Sequence, residues 1–223
     1  MQISQFIRIL FIAILSLLLS SCLTIEERYT FNKDGSGVME YIVDMSELKD
    51  MLPDPEEGES PVGESDGPNE DSLALESIQG IDQIQPLKDN ENYRFGISFH
   101  FANLQALNEA LNTILADELN EGEYHTFFTK EGGKITRHAG PKSQDIKSLF
   151  EEELGDEEES GVDMDALMRA IKYKQSFSFA SPIQVAYAKH EIEIQSNKLI
   201  VSADLKSIAG QTGKRNTTIV LKK

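Results

Sequence analysis

The 223-residue chain contains no tryptophan and one cysteine, Cys22. A lone thiol cannot close a disulfide within the chain or build a multi-thiolate metal site, so stability has to come from an apolar core. The lack of tryptophan argues against a sugar-binding cleft, because carbohydrate faces commonly stack on large aromatic rings. Positive charge is scarce too: 21 Lys and Arg stand against 38 Asp and Glu, a net charge of −17. With no basic cluster to neutralise phosphates, the composition argues against nucleic acid as a partner. Catalytic signatures are also missing. His100, His125, His138 and His190 fall on separate predicted strands or strand ends, and His190-Glu191 lacks the second histidine of a His-Glu-x-x-His zinc site. Gly35-Ser36-Gly37 lies in a turn and has the wrong spacing for a Gly-x-Ser-x-Gly nucleophile elbow. Carboxylate pairs of the glycosidase kind leave no linear signature, but Glu26-Glu27 and Glu151-Glu152-Glu153 read as solvated. The expectation is a non-enzyme with no catalytic residue, no metal and no cofactor; a carboxylate-based hydrolase is the less favoured alternative.

No apolar run is long enough to span a membrane. Ile9 to Leu19 is eleven residues, about half of what a spanning helix needs. Preceded by the start amine and Arg8 and followed by small residues, it reads instead as an export signal over residues 1–21. Leu19-Ser20-Ser21-Cys22 resembles the bacterial lipobox, in which the cysteine is lipidated and becomes the first mature residue. That resemblance implies a palmitate-type anchor on Cys22; each buried methylene contributes about 0.8 kcal/mol, and two or more chains hold a protein stably on a bilayer. Removing Arg8 with the signal takes the net charge from −17 to −18. An acidic body is repelled by anionic headgroups, so the acyl chains must do the holding. Leu23 is not the aspartate that resembles an inner-membrane retention signal, which favours the outer membrane. Glu26-Glu27 resembles the acidic export signals of some surface lipoproteins.

The mature chain reads as one α+β domain over residues 22–223 with a largely antiparallel sheet and a few short helices. Thr24 to Thr30 and Val38 to Asp44 form a hairpin around Asp34-Gly35. Tyr93, Phe95, Ile97, Phe99 and Phe101 alternate with smaller or polar residues and so share one strand face. A helix follows from Asn103, with Leu104, Leu107, Leu111 and Ile114 on its apolar stripe and Asn108, Glu109 and Asn112 on the wet side. Tyr173, Gln175, Phe177 and Phe179 alternate again. Two acidic stretches interrupt the pattern: residues 53–72, with eight acids and four prolines, and residues 151–165, with nine acids and no base. The first reads as a disordered insertion and the second as a solvated loop; neither has the regular oxygen spacing of a calcium loop.

The lipidated cysteine, the strand from Thr24 to Tyr29, Asp34-Gly35-Ser36-Gly37 with its returning strand, and Phe95 to Phe101 running into a leucine helix together resemble the LppM-type domain of bacterial lipoproteins. The resemblance covers about half of the mature chain, and the acidic insertions depart from it. It implies a membrane-anchored α+β module of uncharacterised or lipid-related role, and it carries over no catalytic residue. The functional expectation is therefore a non-catalytic binding or structural module of the cell envelope, for lipid or another envelope component, with Phe95, Ile97, Phe99, Phe101, Phe177 and Phe179 as a candidate apolar ligand face. The alternative is a protein-contact or surface adhesion module.

Overall fold

A central hairpin organises the molecule. The computed structural model describes residues 23–51, 70–115, 123–139, 164–208 and 216–222; Cys22, the signal region and most of both acidic stretches lie outside them. Strand β1 (Leu23–Phe31) turns back into β2 (Gly37–Asp44), with Gly35 in the left-handed region at φ 96° and Asp34 accepting from the Ser36 amide at 3.0 Å. β2 is flanked by β4 (Arg94–Phe101) and then β3 (Ile81–Asp89), while β7 (Ile171–Phe179), β10 (Lys198–Asp204) and β9 (Glu191–Gln195) continue on the other side of β1. β1 is thus the fourth of seven strands, and its pairing with β7 is parallel while the other pairings in this sheet are antiparallel. A second, antiparallel sheet has the order β5 (Phe128–Glu131), β6 (Lys134–Arg137), β11 (Thr217–Leu221), β8 (Ile183–Tyr187). The α+β class and the largely antiparallel pairing agree with the sequence.

Cross-strand register explains the core. Phe99, Met39, Tyr29, Phe177 and Leu199 form one row across five strands, and all five are buried. In the next row Gly37 sits between Phe31 and Phe101. A Cβ there would lie 2.6 Å from the Phe101 ring and 1.9 Å from the Thr30 carbonyl oxygen, so only glycine lets Phe101 lean across to Phe31, ring centroids 5.6 Å apart. The second sheet covers this face with Phe128, Ile135 and Ile219, and Phe128 meets Tyr29 edge-on at 4.9 Å. One core cluster runs through both sheets.

Among the described residues, four helices accompany the sheets: α1 (Glu70–Glu76), α2 (Leu104–Ile114), α3 (Met164–Ala170) and α4 (Leu205–Ile208), with a 3-10 turn at Ser46–Met51. Asn103 caps α2 by accepting from the Ala106 amide at 3.0 Å. Leu107 and Leu111 are buried as expected, but Asn108 is buried with them. The helix lies beside the open edge of β5, and the Asn108 side chain takes the place of a missing strand: its Nδ2 donates to the Phe128 carbonyl at 3.0 Å and its Oδ1 accepts from the Phe128 amide at 2.7 Å. Asn112 does the same one turn on, accepting from the His125 amide at 2.7 Å and donating to its carbonyl at 2.8 Å. These two asparagines are not on a wet side; they close a strand edge that would otherwise leave buried backbone groups unpaired.

Other departures from expectation have similar local causes. Tyr93 is not part of the β4 face but sits in the preceding turn at φ 50°. The acidic stretch read as disordered through residue 72 becomes helical at Glu70, and that helix is pinned by the fully buried Leu75. Strand β8 follows Pro182 and is set by pairing with β11. Residues 146–154, whose apolar spacing predicts a short helix, lie outside the described residues. Among the described residues no helix is long and apolar enough to cross a membrane. Replacing Asn108 with Ala should cost about 2–4 kcal/mol, because two buried backbone groups lose their partners, and native-state hydrogen exchange should show the Phe128 amide losing protection ahead of its β6 neighbours.

Candidate functional site

Period-two alternation places Glu27 on the same face of β1 as Tyr29 and Phe31, which points it into the core. Glu26 and Glu27 are only 6% and 3% exposed, so the expectation that this pair is solvated is overturned. The reason is topological: β1 is the centre of a seven-stranded sheet, where Glu27 faces the second sheet and Glu26 lies beneath the side chains of its strand neighbours. Glu26, on the other face, is held by Arg28 at 2.7 Å, Lys174 at 3.4 Å and the Ser176 hydroxyl at 3.1 Å.

Glu27 Oε2 accepts from the Tyr29 hydroxyl at 2.7 Å and from Gln175 at 2.8 Å, and lies 3.5 Å from Arg137 Nη2 of the second sheet. The Arg137 guanidinium lies 4.8 Å from the Phe127 ring centroid and 5.4 Å from that of Phe128, and it donates to the His138 carbonyl. Burial by itself would raise the Glu27 pKa, but the Arg137 charge and the hydrogen bonds from Tyr29, Tyr173 and Gln175 outweigh it, and the net shift is downward. Burial and the adjacent Glu27 charge push the Tyr29 and Tyr173 phenols well up. Glu27 is therefore an ionised, neutralised, solvent-excluded carboxylate, suited to holding two sheets together rather than to moving protons.

Beside this cluster a cavity of about 60 Å³ is lined by Arg137, His138, Tyr173, Gln175, His190 and Thr217. The fold thus brings together His138 and His190, which the sequence keeps apart, in a space with room for about two waters. His138 is paired with the Thr129 hydroxyl at 2.8 Å, and His125 with the Ala139 carbonyl at 2.7 Å. His100 is on the opposite side of the sheet, 2.9 Å from Asp82. No group of three or more His, Cys, Asp or Glu side chains poised for a metal occurs among the described residues.

Of the candidate apolar ligand face, Phe99, Phe101, Phe177 and Phe179 are at most 3% exposed and belong to the core, while Phe95 and Ile97 are half-buried. Phe179 has a second surface. Where β1 and β7 end together, Phe31 and Phe179 stack at 5.3 Å with an 8° angle between their planes, and this pair floors a recess of about 180 Å³. Leu104 from the start of α2, Ile135 from β6 and Leu221 from β11 make its walls. Lys33 of the hairpin turn and Lys130 of β5 stand at its rim, both exposed, with Lys130 Nζ 3.9 Å from where a Gly35 Cβ would be. This is a half-open, mainly apolar recess with a polar edge, smaller than the usual small-ligand site of about 300–1,000 Å³. Its lining comes from widely separated segments, so linear patterning could flag only Phe179. The polar cluster did leave a trace: Glu27 and Gln175 each interrupt an otherwise apolar strand face, and the parallel register sets them side by side.

No family model and no curated protein matches this chain. Among solved structures, it is similar to the folded domain of the Mycobacterium tuberculosis protein LppM, with 11% sequence identity, 92% of each chain covered and a TM-score of 0.43.

Lowering the pH should expose the role of Glu27. Its pKa in the folded protein lies below the ordinary value of 4.5, so its contribution to stability is complete above that pH and is lost as pH falls through the folded value. Glu27→Gln should cost about 3–5 kcal/mol at neutral pH, because it strands a buried guanidinium, and should flatten the acid limb of a stability–pH curve measured by urea unfolding. Replacing both partners, Glu27→Leu with Arg137→Met, should recover most of the loss.

Proposed function

We propose that this protein is a lipid-anchored, non-catalytic envelope module that holds a small apolar ligand, or the end of a larger one, in the recess floored by Phe31 and Phe179. The recess is the observation that carries the reading: Phe31, Phe179, Leu104, Ile135 and Leu221 give it a mainly apolar lining, with Asn32, Ser181, Lys33 and Lys130 as its polar members. The export signal and Leu19-Ser20-Ser21-Cys22 support the anchor, and Leu23 after the cysteine supports the outer membrane. β1 begins at Leu23, directly after Cys22, and its last residue is Phe31. Eight steps at about 3.3 Å each place the recess roughly 26 Å along the strand from the anchored residue. With almost no tether before β1, the ligand is carried at the end of the sheet away from the attachment point. The ionised, fully partnered state of Glu27 supports a structural rather than a catalytic use of the chain's most buried charges.

A protein-contact module is the second reading, and one observation favours it. All five residues of the sheet-edge strand β9 are exposed, including Ile192 at 37% and Ile194 at 45%, and an unprotected strand edge can accept a partner strand.

The test uses the full chain made in a bacterial host. Native mass spectrometry from detergent should show a discrete added mass that disappears under denaturing conditions, over and above the lipid on Cys22. Ala180→Trp, which places an indole in the recess, should abolish that mass while leaving the circular dichroism spectrum unchanged. Absence of any adduct from the wild-type chain, also after incubation with a lipid extract, would move the weight to the β9 reading. Cys22→Ser should shift the protein from the membrane to the soluble fraction and stop incorporation of labelled palmitate.

A further inference from the structure

The recess has an electrostatic character that its apolar floor does not explain. Acids outnumber bases 38 to 21 in this chain, and five cations are met by carboxylates: Arg28 by Glu26 and Glu40, Arg94 by Asp44, Arg137 by Glu27, Lys174 by Glu26 and Lys206 by Asp165. Lys33 and Lys130 at the recess rim come from different elements, and neither is ion-paired with a carboxylate among the described residues. Two nearby acids are turned elsewhere. Asp34 is engaged with the Ser36 amide and hydroxyl at 3.0 and 2.7 Å. Glu131 follows Lys130 on β5 and so projects to the other face, where it lines a neighbouring groove with Lys134. Among the described residues, the positive rim of the recess is thus left without a carboxylate partner.

We infer that the recess takes an amphiphile with one acyl chain and an anionic head, a fatty carboxylate or a monoacyl phosphate, whose head lies between Lys33 and Lys130 and whose chain lies on the stacked Phe31 and Phe179 rings. This rests on the recess being the binding site and adds the chemistry of its ligand. Each half has a physical basis. The ammonium groups donate charge-assisted hydrogen bonds to a carboxylate or phosphate oxygen, and two exposed pairs of this kind together amount to about a tenfold preference over a neutral head. The volume of about 180 Å³ corresponds to about six water-sized groups, so with the head at the rim the recess is filled by the first six or so carbons. Further carbons emerge into solvent, and affinity should stop rising with chain length there. Within that limit each added methylene should raise affinity by about fourfold.

The experiment is isothermal titration calorimetry on the full chain in phosphatidylcholine nanodiscs, with empty discs subtracted. The probes are hexanoate, octanoate and decanoate, octyl phosphate, octanol as the neutral partner, and inorganic phosphate as the head without a chain. At about 20 mM salt octanoate or octyl phosphate should bind about tenfold more tightly than octanol, and the preference should fade toward about 500 mM as the charges are screened. Affinity should rise from hexanoate to octanoate and level off by decanoate. Lys33→Gln with Lys130→Gln, both at exposed positions, should bring the anionic probes down to the affinity of octanol and leave octanol itself unchanged. Equal binding of octanoate and octanol to the wild type would overturn the inference and leave the recess as a neutral apolar site. So would a preference that survives the double substitution. Inorganic phosphate binding as tightly as octyl phosphate would overturn it as well, since the chain would then contribute nothing. Failure of octanoate and octanol alike would remove the recess as a binding site and with it the reading on which this inference rests.

Discussion

Arg137 and Glu27 come from different sheets, and their meeting is the constraint on which the packing of this protein depends. An ionised carboxylate in the centre of a seven-stranded sheet would be prohibitive without a partner. Its four neighbours, Tyr29, Tyr173, Gln175 and Arg137, converge on it from β1, β7 and β6. Any sliding of the second sheet that removed Arg137 would leave two uncompensated buried charges, a cost of several kcal/mol. The apolar rows of Tyr29, Phe177 and Phe128 would tolerate small shifts, since dispersion and area burial are not directional. The ion pair makes one alignment much better than its neighbours, and with that alignment Ile135 and Leu221 arrive where they wall the recess.

The two ends of the sheet differ in consequence. Toward the Leu23 end of β1, the polar groups around Glu26 and Glu27 are buried and hydrogen-bonded to one another. At the β1 end the buried Phe31 and Phe179 rings line the recess beside the hairpin turn, and Lys33 and Lys130 stand at its rim. In the functional reading offered above, the closed end gives rigidity near the bilayer and the open end presents the ligand. Helix α2 contributes to both arrangements: Leu104 stands in the recess wall, while Asn108 and Asn112 make the helix a continuation of the second sheet at the β5 edge.

Much of the fold could be read from the residues in order. The alternation through Phe99 and Phe101, the Asp34-Gly35 turn, the Asn103 cap and the leucine spacing of α2 are local signals, generated by chain geometry within a few residues, and each appears where the pattern placed it. Asn108 and Asn112 were misread because helical periodicity distinguishes apolar from polar but cannot tell a solvated amide from one bonded to a strand twenty residues away. Glu26 and Glu27 were misread because a charged pair is solvated in most settings; their burial follows from β1 being central, which depends on the pairing of β1 with β7 across some 150 residues of chain.

The sequence by itself determined the acidic balance, the hairpin, the aromatic strand faces and the α+β class, because each is written in composition or in periods of two and three to four. Only the tertiary structure decided that Glu27 would be a buried ion-pair partner, that Phe31 and Phe179 would stack where β1 and β7 end, and that Lys33 and Lys130 would line the same recess. Those outcomes rest on strand order and on register between distant segments, and no single stretch of chain encodes which of its neighbours in space will supply the opposite charge.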